Sequence, residues 1–178
     1  DGSGNCKVYF TDARPHPHPR AVDNHPFQSA NHRRPSIGEL HDGALLACAT
    51  NNTTNEMEIS RTRKGCMAAW EAPMATLGAG LQNGAICCER MATHLVGWAN
   101  DKVYFCSSSA VDLEREVLDG TNTLLEVCDY VVTGGADAPR TSIVVPDDGG
   151  IIVCVDGGGD MQLYRCRNYK DGFSLIGA

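Results

Sequence analysis

Nine cysteines spread along 178 residues constrain this chain more than any other feature. They stand at Cys6, Cys48, Cys66, Cys87, Cys88, Cys106, Cys128, Cys154 and Cys166, and no two show the Cys-x-x-Cys spacing of zinc sites or dithiol redox centres. Scattered cysteines in a short chain are the mark of a disulfide framework laid down in an oxidising compartment. The pattern predicts a secreted, extracellular protein bridged through Cys6, Cys48, Cys66, Cys87, Cys88, Cys106, Cys128 and Cys166. The odd total leaves a thiol over, and Cys154, in the most apolar run, is the candidate free thiol. Spacing alone leaves the connectivity open. Two overlapping sequons, Asn51-Asn52-Thr53 and Asn52-Thr53-Thr54, make Asn51 and Asn52 candidate glycosylation sites and point to the same compartment.

No run of apolar residues is long enough for a transmembrane helix, and the first residues lack the basic-then-apolar pattern of a signal peptide. The expectation is a processed, soluble chain without membrane insertion. The formal charge of −7 is uneven: Asp1 to Leu40 carries five basic and four acidic residues, so the remainder carries −8. Such an acidic body repels phosphate backbones, which argues against a nucleic-acid partner.

The chain divides by composition into residues 1–40, an N-terminal strand and a Pro/His-rich arm; 41–120, a cysteine-rich α+β lobe; and 121–178, a β-rich lobe. From Thr11 to Pro35 the density of proline predicts neither helix nor central strand. Leu81, Ala85, Cys88, Ala92 and Leu95 recur at spacings of four and three, which predicts a helix from about Leu81 to about Trp98. On that helix Cys87 and Cys88 would face different partners. Cys66, Trp70, Met74 and Leu77 predict a second helical piece, and Ser109, Asp112 and Gly120 frame a third. Lys102 to Ser107 reads as a strand. After Gly120 the runs Leu124–Val132, Ser142–Val145, Gly150–Val155, Met161–Arg167 and Phe173–Ile176 read as strands of a meander or small sandwich. The fold class expected from this order is α+β. The tetrapeptide Lys-Val-Tyr-Phe occurs at Lys7 and again at Lys102, but its flanks do not extend the match, so it predicts no repeat.

Histidine is the first residue type to weigh for acid–base chemistry. His16, His18, His25 and His32 fall in the arm, where His16 and His18 form an adventitious metal pair at best. His41, flanked by Glu39 and Asp42, and His94, beside the expected buried face, are the two weak catalytic candidates for a secreted hydrolase or nuclease. Gly-x-Ser-x-Gly, the phosphate-binding loop and His-Glu-x-x-His are absent from the sequence. Asp147-Asp148-Gly149-Gly150 and Asp156-Gly157-Gly158-Gly159-Asp160 read as hairpin turns rather than calcium loops. No cofactor or metal is expected.

With cysteines from Cys6 to Cys106 ahead of a strand-rich segment from Leu124 to Ile176, the layout resembles that of the small secreted effector proteins of plant-pathogenic fungi, some of them two-lobed. The resemblance implies a non-enzymatic virulence factor acting on a host protein or receptor, and carries no functional residues across. The alternatives are the hydrolase or nuclease, and a carbohydrate-binding module built on Trp70, Trp98 and the tyrosines.

Overall fold

The computed structural model describes residues 9–10, 20–21, 27, 31–40, 42–63, 66–72, 74–75, 80–89, 92–109, 124–133, 138–157, 159–168 and 171–178. Among these residues every regular element is a β-strand, which overturns the expected α+β fold and its helical, cysteine-rich lobe. A short ribbon pairs β1 (Tyr9–Phe10) with β2 (Arg20–Ala21). Three antiparallel sheets follow. The first is β3 (His32–Glu39), β4 (Leu45–Asn51), β5 (Glu56–Arg63) and β6 (Cys66–Trp70), with β7 (Met74–Ala75) also pairing to β5. The second is β8 (Gln82–Cys88), β9 (Ala92–Ala99), β10 (Lys102–Ser109) and β11 (Leu125–Asp129). The third is β12 (Arg140–Val144), β13 (Ile151–Gly157), β14 (Asp160–Cys166) and β15 (Ser174–Gly177).

The segment expected to be a helix from Leu81 to Trp98 is the hairpin of β8 and β9, with Cys87 opposite His94 and Ile86 opposite Leu95. The piece from Cys66 to Leu77 is likewise β6 and β7 where described, and the expected helix after Ser109 lies outside the described residues. The physical reason is double burial. Ile86, Leu95, Ala99 and Cys106 face the first sheet, while Ala85, Val96, Val103 and Phe105 face the third. A strand buried on both faces reads as a continuous apolar run, and its spacings of three and four then mimic a helical stripe. Local chemistry favours the hairpins: Asn100 and Asp101 take positive φ of 48° and 61° between the paired Ala99 and Lys102, a two-residue turn suited to strand twist. Proline at position 35 does not exclude a strand either. It sits in β3 where the register shifts between Arg33 and Ser36, on an edge strand that tolerates a lost donor.

The strands expected after Gly120 are present, but β11 closes the second sheet rather than opening a separate lobe, and β3 begins inside residues 1–40. Both Asp/Gly segments form turns, with Gly149 and Gly159 at φ of 75° and 98°. The Asp148 carboxylate accepts the Gly150 N–H at 3.1 Å and pairs with Arg165; these contacts hold its pKa below the usual range.

Each sheet is a meander whose first strand is an edge, and these first strands lie together. The Ile86 N–H donates to Ser36 Oγ at 3.2 Å, and Gly38 lies so close to Cys88 that an added Cβ would stand 2.8 Å from its Sγ. The sheets pack face to face through two cores. One joins Leu46, Cys48, Met57 and Ile59 to Leu95 and Cys106; the other joins Val96, Val103 and Phe105 to Ile151, Val153 and Val155. Successive antiparallel meanders, two of four strands and one of four with the short β7 added, packed around their innermost strands, are the layout of consecutive β-propeller blades. The repeat is visible in the register. Leu95 and Gly97 pair with Cys106 and Tyr104 in the second sheet, just as Ile151 and Val153 pair with Cys166 and Tyr164 in the third. The tetrapeptide match is not part of this repeat, since β10 is the third strand of a sheet and β1 belongs to the ribbon.

Candidate functional site

The innermost strands β3, β8 and β12 begin at one end of the molecule, and their first residues interlock. The Asn83 N–H donates to Thr50 Oγ1 at 2.8 Å, and its side-chain amide donates to the Ala138 carbonyl at 3.1 Å. The Thr141 hydroxyl donates to the Asn83 carbonyl at 2.9 Å, and Arg34 Nη1 donates to Ala138 O at 2.8 Å. Arg33 Nη2 reaches Asn55 Oδ1 at 3.3 Å and Gln82 Oε1 at 3.5 Å. Three sheets thus contribute to one polar cluster.

Two of its residues hold backbone conformations that side chains rarely adopt, Arg34 at φ 53° and Asn83 at φ 52°, each within an irregular stretch of its strand. Such conformations cost on the order of 1–3 kcal/mol each and gather at functional sites. Asn83 is 2% exposed, yet among the described residues its Oδ1 accepts no hydrogen bond, and the buried Arg33 Nε likewise finds no acceptor among them. A buried acceptor and a buried donor left unmatched in an otherwise well-paired cluster are expensive. On the flank, Trp98 is in register with Gln82 and donates its Nε1–H to the Tyr130 carbonyl at 2.9 Å. The Glu58 carboxylate beside this end is occupied by His32 at 2.9 Å and the Asn51 amide at 2.8 Å.

Of the two histidine candidates, His41 lies outside the described residues. His94 lies far along β8 and β9 from the polar cluster, 3% exposed and stacked on Phe105 with ring centroids 5.8 Å apart. Burial pushes its pKa down, opposed by Glu89, whose carboxylate stands 3.5 Å from Nε2. Cys87 is its cross-strand neighbour, but neither ring nitrogen hydrogen-bonds to it, so the imidazole activates no thiol. This is a core histidine.

The seven described cysteine side chains, Cys48, Cys87, Cys88, Cys106, Cys128, Cys154 and Cys166, are free thiols; those of Cys6 and Cys66 lie outside the described residues. Cys87 and Cys88 do face different neighbours, through strand alternation rather than helical rotation. Cys154 pairs with Leu163 and Cys166 with Ile151, so the two are not cross-strand partners. Burial pushes the Cys48 and Cys106 thiols up to about 12. Of the two sequon asparagines, Asn51 has its amide nitrogen engaged by Glu58 and its Oδ1 accepting the Thr53 N–H at 2.8 Å, whereas Asn52 is exposed. The polar cluster escaped sequence reasoning because Arg33, Gln82 and Thr141 are far apart in the chain. The signals present were Asn83 before Gly84 and the Arg33-Arg34-Pro35 break.

No family model matches the chain, and no curated protein matches it. Among solved structures, it is similar in fold to an exo-β-1,3-galactanase from Phanerochaete chrysosporium, whose crystal structure holds β-1,3-galactotriose. The TM-score is 0.56 at 11% identity, over 88% of this chain and 38% of the galactanase chain. The chain therefore spans well under half the length of that enzyme.

Proposed function

We propose that the chain binds carbohydrate at the shared end of β3, β8 and β12. The observation that carries this reading is the meeting of three strand beginnings in one polar cluster, where the half-buried Arg33, Arg34 and Gln82 side chains stand at the end of the sheets. Sugar hydroxyls both donate and accept, so neighbouring hydroxyls pair with the Arg33 guanidinium and the Gln82 amide. Trp98 beside Gln82 offers the apolar face that sugar rings need. The likeness to a galactanase crystallised with a β-1,3-linked galactose trimer supports the same ligand class. This reading takes up the carbohydrate-binding alternative.

Calorimetric titration with β-1,3-galactobiose and β-1,3-galactotriose tests it. Binding is expected, with Gln82→Ala and Arg33→Ala each weakening it at least tenfold while the fold, followed by circular dichroism, persists. Unchanged affinity in both folded variants, or no binding of these or any arrayed glycan by the wild type, contradicts the proposal.

A further inference from the structure

The polar cluster carries a cation that the described residues do not neutralise. Elsewhere in the fold the cations face carboxylates: Arg61 stands 3.6 Å from Asp42, Lys102 stands 2.6 Å from Glu126, and Arg165 pairs with Asp148. Arg33 differs. Its partners among the described residues are two neutral amide oxygens, Asn55 Oδ1 at 3.3 Å and Gln82 Oε1 at 3.5 Å, both on Nη2. These bonds are long for a guanidinium, which holds a carboxylate at about 2.7–2.9 Å. Its Nη1 bonds to no described residue and, unlike Nε, is not closed off from solvent. The Glu58 carboxylate beside this end is taken up by His32 and Asn51 instead.

We propose that the sugar bound here is an acidic one, a uronic acid whose carboxylate sits on the terminal edge of the Arg33 guanidinium. The proposal deepens the carbohydrate reading above and rests on it. Galactose and its uronic acid differ only at C6, where a hydroxymethyl group becomes a carboxylate. A neutral hydroxyl offers Arg33 no more than the two amide oxygens already do. A carboxylate accepts two parallel N–H bonds from Nη1 and Nη2 and neutralises the charge as well. Because Arg33 is half-buried, solvent and salt screen that pair less than one on the open surface. Gln82, with its Oε1 toward Arg33, keeps its amide N–H groups for a ring hydroxyl, and Trp98 stands opposite it in register. The net charge of −7 sharpens the selection, since an acidic body repels anions everywhere except where a cation stands without a carboxylate.

Titration calorimetry with matched ligands decides it. The probes are β-1,3-galactotriose, the same trisaccharide oxidised at C6 of its non-reducing galactose to the uronic acid, the methyl ester of that acid, and the trisaccharide sulfated at the same C6 oxygen. The acid is expected to bind about tenfold tighter than the neutral trisaccharide and the ester, the difference between a charge-assisted and a neutral hydrogen bond. Arg33→Gln should level acid and neutral sugar, and Arg33→Lys should keep part of the preference. Equal binding of acid and neutral trisaccharide overturns the acidic-sugar proposal and leaves the carbohydrate reading standing, whereas binding of none of the four overturns both. Tighter binding of the sulfate than of the acid overturns the carboxylate assignment. A preference for the acid that survives Arg33→Gln in a folded variant overturns the role of Arg33. If that variant does not fold, the ester decides on the wild type alone: an ester bound as tightly as the acid overturns the proposal.

Discussion

Raising the pH should unfold this protein through thiols that never touch a ligand. Cys48 and Cys106 are 0% and 2% exposed in the core between the first and second sheets, and burial raises each from its ordinary 9.0 to about 12. In the unfolded chain both ionise at their ordinary value. Between pH 9 and 12 the folded state therefore binds more protons, and stability, complete below about 9, is lost as pH rises through that window. At pH 10, one unit above the unfolded value, each thiol favours unfolding by about 1.4 kcal/mol, so the two together remove about 3 kcal/mol. Against a typical stability of about 5–15 kcal/mol that is a large fraction. Urea denaturation with reductant at pH 8 and pH 10 measures the difference, and Cys48→Ala and Cys106→Ala, though less stable at both pH values, should each shrink it by about 1.4 kcal/mol. If both variants lose as much between the two pH values as the wild type does, or if either cysteine proves to be bridged, the reasoning fails.

Two further outcomes bear on the sheet packing. Leu95, 1% exposed between the first two sheets, should cost about 2–5 kcal/mol as Leu95→Ala, read as a fall in the urea midpoint; a shift within the surface range of about 0.5 kcal/mol would place it outside the core. His94, held neutral by burial, takes up its proton more readily in the unfolded chain, so stability should fall as pH drops below its ordinary 6.5. His94→Leu should flatten that acid limb in denaturation curves taken from pH 7 to 5, and an unchanged limb would show that another group causes it.

How much of this was legible in the sequence depended on whether a strand had one wet face. The runs 142–145, 150–155 and 161–167 were readable because the third sheet keeps an exposed side: Val153 and Val155 alternate with half-buried Cys154 and exposed Asp156, and Gly and Asp mark the turns. In β8 and β9 both faces are dry, alternation vanishes, and Leu81, Ala85, Cys88, Ala92 and Leu95 mimic a helix. Gly84 and Gly97 spoke against it. An added Cβ on Gly84 would collide with the Val96 carbonyl and stand 2.5 Å from Met57 Sδ, a closeness that only paired strands under a neighbouring sheet require. The repeat was hidden because its common features, Tyr104-Phe105-Cys106 and Tyr164-Arg165-Cys166, recur without flanking identity. The cysteines are legible in two ways, since a small, apolar, buried thiol is good core material and Cys48 and Cys106 pack between the first two sheets. The site was illegible because the three strand beginnings that build it lie about fifty residues apart in the chain and meet only when each blade lays its first strand beside the last one's, as propeller blades do.

The most direct test of the account is an amide chemical-shift titration of labelled protein with β-1,3-galactotriose. The account predicts that shifts move together at three separated stretches, Arg33–Arg34, Gln82–Asn83 and Ala138–Thr141, with Trp98 Nε1–H following and His94 unmoved. Movement confined to one of these stretches would contradict the junction of three sheets. Movement centred on Glu89 and His94, or none at saturating sugar, would contradict the carbohydrate site itself.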